Sequence, residues 1–118
     1  MATVFKLQPN PTFKVDVSIP RAGEQEDGIL TFTFKHMKSS RFDELRDKLR
    51  EALENVVAGS EPSTGPMVDN VMDIAEGWAL EEEFNRENVA ELLENYPRAF
   101  GAITDAYARE LLAFRTKN

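Results

Sequence analysis

Residues 12–35 read TFKVDVSIPRAGEQEDGILTFTFK, two runs of alternating residues around a charged centre that contains glycine. In the first run Phe13, Val15, Val17 and Ile19 alternate with Lys14, Asp16 and Ser18; in the second Leu30, Phe32 and Phe34 alternate with Thr31 and Thr33. Successive strand side chains point to opposite faces, so a period of two gives each run one apolar face to bury. The β-branched and aromatic content suits strands, and PRAGEQEDG between them is turn and charge. The stretch therefore predicts a β-hairpin with a long mobile loop. A lone hairpin is marginal in water, so its apolar face has to pack on helices or on another subunit's sheet. Phe5 and Leu7 offer a short edge strand before Pro9 and Pro11 end it.

Beyond the hairpin the apolar period changes to three and four residues. Ser40 and Asp43 resemble a capping box, and Phe42, Leu45, Leu49, Ala52, Leu53 and Val56 form a stripe, which predicts a helix over about 41–58 stopped by Gly59. SEPSTGP, with two prolines and a glycine, reads as a connection, placing a flexible segment at about 59–66. A second helix carries Val68, Val71, Met72 and Ala75 over 67–76, with Gly77 as its left-handed stop and Trp78 one step beyond. Asn85 caps a third helix over 86–95, with Glu87 in its first turn and Val89, Leu92 and Leu93 inward. Tyr96 and Pro97 break it and open a last helix to about Thr116, striped by Phe100, Ile103, Tyr107, Leu111 and Phe114. The expected fold is a single α+β domain over 1–118: a hairpin part at about 1–38 and a helical part of about four helices over 40–118.

Composition narrows the function classes. A chain of 118 residues, 42% hydrophobic and 30% charged, is long enough for one core and lacks the composition of a disordered or membrane protein. The first residues, MATVFKLQPNP, lack the charged region and apolar run of a secretion signal, which gives a cytoplasmic expectation. The absence of cysteine excludes disulfides, thiolate metal sites and cysteine nucleophiles. The net charge of −7 is split unevenly, with 7 acidic and 9 basic residues in 1–50 against 14 acidic and 5 basic in 51–118. An acidic back half argues against nucleic acid as a ligand, because phosphate binding needs a basic face. A basic or mixed protein partner fits better, and the asymmetry suits front-to-back contact between copies, although acidic excess also serves solubility.

Little in the chain offers chemistry. His36 is the only histidine and stands at a strand end without a second ligand. Asp69 and Asp73 share a helical face with Glu76 one step on, which is more simply a solvated face than a cation site. Glu81, Glu82 and Glu83 are adjacent and cannot oppose one another across a cleft as paired catalytic carboxylates must. The expectation is a non-enzyme with no metal and no cofactor. Trp78, Phe84, Tyr96, Phe100, Tyr107 and Phe114 form either the core of a helical subdomain or, in part, an interface, where tryptophan and tyrosine are enriched. The candidate partner-binding side chains are Trp78, Phe84, Tyr107, Leu111 and Phe114.

Residues 77–100, GWALEEEFNRENVAELLENYPRAF, carry G-W-x-L, an acidic run, F-N-x-E-N-V and L-L-x-N-Y-P, followed by a helix with A-I, Y and a terminal K-N. With F-K-L-x-P-N-P-T-F and T-F-T-F-K at the front, this pattern resembles the tail assembly chaperones of long-tailed, lambda-like bacteriophages and prophages. The resemblance covers Phe5 to Lys35 and Gly77 to Asn118, through Gly77, Trp78, Leu80, Phe84, Asn85, Asn88, Leu93, Tyr96, Pro97 and Tyr107. It implies a non-catalytic protein of the host cytoplasm that binds and solubilises the tail tape measure protein and is absent from the mature virion. Recruitment of tail tube protein would fall to a longer form made by frameshifting. A chaperone of long amphipathic helices needs repeated apolar surface, which self-association into an open or ring-like array would supply. A structural tail connector and, less consistent with the aromatic content, an acidic DNA mimic are the alternatives.

Overall fold

The computed structural model describes residues 4–57 and 64–113. The order of elements is β1 (Thr12–Ile19), β2 (Gly28–Lys35), α1 (Ser39–Val57), α2 (Thr64–Ile74), β3 (Ala75–Trp78), α3 (Arg86–Asn95) and α4 (Ala99–Leu111). The α+β expectation holds, with an antiparallel hairpin followed by four helices, and a third strand completes the sheet in the order β1-β2-β3.

The hairpin follows the alternation of its sequence. Phe13 sits opposite Phe34, Val15 opposite Phe32, Val17 opposite Leu30 and Ile19 opposite Gly28, so the inward sets face one another in register. Val17, Ile19, Leu30, Phe32 and Phe34 are buried, while Lys14, Asp16 and Ser18 face solvent. On the outer face Thr31 Oγ1 donates to Asp16 Oδ1 at 2.5 Å, across a directly opposed pair. The inner face packs on α2, α3 and α4, whose Val68, Val71, Ile74, Val89, Leu93, Ala99 and Ile103 complete the core together with Leu45 from α1.

Two local expectations are corrected. Gly77 does not stop a helix. The second helix ends at Ile74 and the chain runs straight into β3, where Gly77 is an extended residue opposite Thr33 and Trp78 stands opposite Phe32. The only glycine with a positive φ among the described residues is Gly23, in the hairpin loop. Helical spacing through Ala75 was real, but the unpaired edge of β2 captures Ala75–Trp78, and tertiary pairing overrides local pattern. The register shift between Thr33 and Phe34 leaves Glu76 as the bulged residue. The second correction concerns the edge strand expected at Phe5 and Leu7. Residues 4–11 form no strand, and their side chains stand out in solvent. His36 N–H donates to the Pro11 carbonyl at 2.9 Å, the last rung beyond β1.

The helical part keeps its predicted order, but α4 ends at Leu111, with the chain turning at Leu112 and Ala113, and does not run on to about Thr116. α1 opens at Ser39, just ahead of Ser40, and α2 starts at Thr64, inside the stretch read as a connection; residues 58–63 lie outside the described residues. Asn85 Oδ1 accepts the Asn88 N–H at 2.8 Å and caps α3 as expected. The last helix begins at Ala99 instead of Pro97, after a turn in which Ala99 N–H donates to the Tyr96 carbonyl at 2.8 Å.

Candidate functional site

A groove of about 360 Å³ opens where the loop end of the hairpin meets α3. Its hairpin wall is Ile19, Arg21, Gly28, Ile29 and Leu30, its floor is Trp78 and Leu80, and its far wall is one face of α3: Asn88, Glu91, Leu92, Asn95 and Tyr96. Those α3 positions recur at three- and four-residue steps, a helical stripe of their own. Val89 and Leu93, between them, are buried in the core, so α3 shows one stripe to the core and a second to the groove.

Two apolar side chains of the lining are exposed. Ile29 is 63% and Leu80 43% accessible, although most large apolar side chains of the described residues are packed away. Arg21, Glu82, Asn88, Glu91 and Asn95 give the rim two carboxylates, two amides and one cation. The Arg21 guanidinium also donates to the Glu26 carbonyl at 3.1 Å within the hairpin loop.

The loop that carries Leu80 and the acidic run is held by hydrogen bonds to backbone. Trp78 Nε1 donates to the Glu82 carbonyl at 2.8 Å, and Asn88 Nδ2 donates to the Glu83 carbonyl at 2.7 Å. The Trp78 ring meets Phe84 edge-on at 5.2 Å and Phe32 edge-on at 6.1 Å. Glu81, Glu82 and Glu83 are exposed, and Glu82 stands at the groove rim. Asp69 pairs with Arg86 and Asp73 with Lys48 at 3.3 Å, so the two carboxylates read as a possible cation face instead tie α2 to α3 and to α1.

The five expected partner side chains fall in three different places. Trp78 lines the groove and Phe84 supports it from behind, both half-buried. Tyr107 is 1% exposed and belongs to the core, where its ring stacks on Phe13 at 5.9 Å and meets Phe34 edge-on at 5.0 Å. The Tyr107 hydroxyl donates to the Lys35 carbonyl at 2.8 Å, and burial pushes its pKa up to about 12. Leu111 is half-buried at the end of α4, and Phe114 lies outside the described residues. The groove residues not among the expected partner side chains include Ile29, Leu80, Arg21 and the polar stripe of α3, of which Leu80 and Asn88 enter the sequence analysis only as positions of the resemblance. Ile29 did leave a signal, because the doublet Ile29-Leu30 breaks the alternation and two adjacent strand residues cannot both face the core.

No helix of the described residues is long and apolar enough to cross a membrane. No curated protein and no solved structure matches the chain. The model of one protein family, described as phage tail assembly chaperone, matches residues 1–118. A match over the full length makes this chain a member of the phage tail assembly chaperone family.

Proposed function

We propose that the chain is a non-catalytic chaperone that binds the tail tape measure protein, keeps it soluble and helps bring tail tube subunits to it, with the groove over Trp78 and Leu80 as its client site. The observation that carries the site is the exposure of Ile29 and Leu80 on either side of one concave apolar surface. A long helical client exposes a repeating apolar stripe until it is packed, and a chaperone must cover that stripe and later let go. A groove of about 360 Å³ is at the small end of ligand sites and takes a few large side chains, not a whole helix. Affinity per copy is then modest, and several copies along one client supply the rest by multivalency. Self-association of the chaperone belongs to the same reading. So do its work in the host cytoplasm, its absence from the finished virion, and a longer frameshifted product that meets the tube protein.

Co-expression with the tape measure protein of the same phage tests this directly. The soluble fraction of the client should rise with the chaperone, and a photo-crosslinker at position 80 should join the two chains. Crosslinks confined to the outer face of the sheet, at Lys14 or Ser18, would move the client site elsewhere. Mass spectrometry of purified particles showing this chain at tail-protein stoichiometry would replace the chaperone reading with that of a structural tail component.

A further inference from the structure

The edge of β2 that faces the groove is open along part of its length. His36 N–H donates to the Pro11 carbonyl, and backbone groups alternate sides along an antiparallel strand. Phe34, Phe32, Leu30 and Gly28 therefore pair with β1, while Thr33, Thr31 and Ile29 turn their N–H and C=O the other way. β3 meets Thr33, and Ala79 N–H donates to the Thr31 carbonyl at 2.9 Å. The pairing stops there, one step short of Ile29, whose backbone groups open on the groove. We propose that this edge receives a short extended segment of the client, which pairs with Ile29 as an added strand beyond the end of β3. The proposal rests on the client reading above and adds the conformation and chemistry of what is bound.

Three observations select an extended segment that is apolar and basic. The first is the edge itself. A free strand edge is a template for another chain, and proteins guard it with charge or proline. β1, at the opposite edge of the sheet, carries Lys14 and Asp16 on its exposed face, whereas Gly28, Ile29 and Leu30 hold neither charge nor proline. The two groups of Ile29 need a C=O and an N–H at strand spacing, which a helix, with its own groups bonded internally, does not offer.

The second is shape. Arg21 lies across Gly28 so closely that a Cβ there would come within 3.1 Å of its Cδ, and it closes the loop end of the groove. The open edge, Gly28 to Leu30, is about 10 Å long and takes about three residues. Alternate side chains of an added strand turn to the face of Leu30 and Trp78, and the one between them turns to the face of Ile29, so apolar groups are met on both sides. The third is charge. Glu82 and Glu91 at the rim have no ion-pair partner among the described residues, in a half of the chain with 14 acidic and 5 basic side chains. A lysine or arginine next to the apolar pair meets them. A client segment held as a strand is not at the same time a helix, so this contact keeps a helical protein from packing along that stretch.

The test uses the unaltered chaperone and a soluble fragment of the tape measure protein that crosslinks to position 80. With the fragment bound, the Ile29 amide should exchange with solvent at least about tenfold more slowly, read by NMR. Ile29→Pro removes an N–H that the β1–β2 ladder does not use, and Ile29→Val keeps it. Affinity for the fragment should fall at least about tenfold in the first and stay within about twofold in the second, with circular dichroism melts as the check on folding. Glu82→Gln/Glu91→Gln should remove most of the dependence of binding on salt. Where Ile29→Pro does not fold, the exchange of the unaltered chain decides. The proposal is overturned if the Ile29 amide exchanges as fast in the complex as alone, if a folded Ile29→Pro binds like Ile29→Val, or if salt dependence survives in the double variant. Protection of Ile29 that grows with chaperone concentration alone also overturns it, by making a second copy the occupant. A crosslink from position 80 without protection of Ile29 leaves the client site standing and removes the strand, whereas no crosslink and no binding by any fragment removes the client reading and the strand with it.

Discussion

One train of aromatic rings crosses the molecule, and its two ends have opposite fates. At one end Tyr107 is enclosed by Phe13, Phe34 and Phe42, with its hydroxyl hydrogen-bonded to Lys35. Phe34 stacks on Phe32 at 5.5 Å, and Phe32 passes the contact to Trp78, which is half-buried and faces the groove with Phe84 behind it. The same kind of side chain thus closes a core at one end and leaves a surface open at the other. The difference is set by what covers each ring. α4 lies across β1 and seals the Tyr107 end, whereas at the Trp78 end the chain leaves the sheet after β3 and α3 stands off, presenting its polar stripe across a gap.

The contrast is broken most severely from the closed end. Tyr107→Ala removes a ring packed on three others and frees the Lys35 carbonyl of its donor, so unfolding free energy should fall by about 3 to 5 kcal/mol, measured by denaturant titration. A loss below about 1 kcal/mol would mean that this end is not closed.

The next effect is a pH dependence at the same residue. The unfolded hydroxyl ionises near its ordinary value of 10, while burial holds the folded one to about 12. Above pH 10 the unfolded state releases its proton first, so the stabilisation present below pH 10 is lost progressively toward pH 12, by roughly 2 to 3 kcal/mol. Tyr107→Phe should flatten this part of the stability profile, at a cost of about 1 to 2 kcal/mol at neutral pH for the unpaired carbonyl. Wild-type and Tyr107→Phe profiles that remain parallel above pH 10 would remove the assignment.

At the open end the losses are smaller and of a different kind. Trp78→Ala deletes a ring that is only half-buried, along with the Nε1 bond that holds the Glu82 carbonyl, so about 2 kcal/mol is expected, less than for a fully buried tryptophan. Client binding should fall with it, because the floor of the groove goes too. Trp78→Phe sharpens the point: it keeps most of the apolar floor and loses the hydrogen bond, so it should recover more of the binding than of the rigidity of the 79–85 loop, read by hydrogen exchange at Ala79 to Asn85.

How much of this contrast the residues announced depends on the range of the forces involved. The hairpin, its register and the Asn85 cap follow from periods of two and from a side chain three residues away, interactions local enough to be visible in a string. β3 was hidden because AEGW has no alternation of its own and becomes a strand only when β2 offers an edge. The groove was hidden for a related reason. Trp78 stands out by its type, but Ile29, Leu80 and the outer stripe of α3 come from three separate segments, and only the third strand brings them together. Tyr107 went the other way: on a helical stripe it looks the same whether the stripe meets a partner or a sheet, and α4 turns it to the sheet.

The smallest expected effect on stability is the one that best separates the two ends. Leu80 is exposed and packs on little, so Leu80→Glu should change unfolding free energy by no more than about 0.5 kcal/mol. Its carboxylate would stand in the apolar floor beside Glu82, where an entering apolar side chain would have to desolvate it without a partner. Affinity for the tape measure protein should therefore drop at least about tenfold, measured by titration of a soluble client fragment. Tyr107→Phe, with the larger loss of stability, should leave that affinity within about twofold, because its change is confined to the sealed end. An equal loss of client binding in both variants would mean that the groove responds to the whole fold and is not a surface of its own.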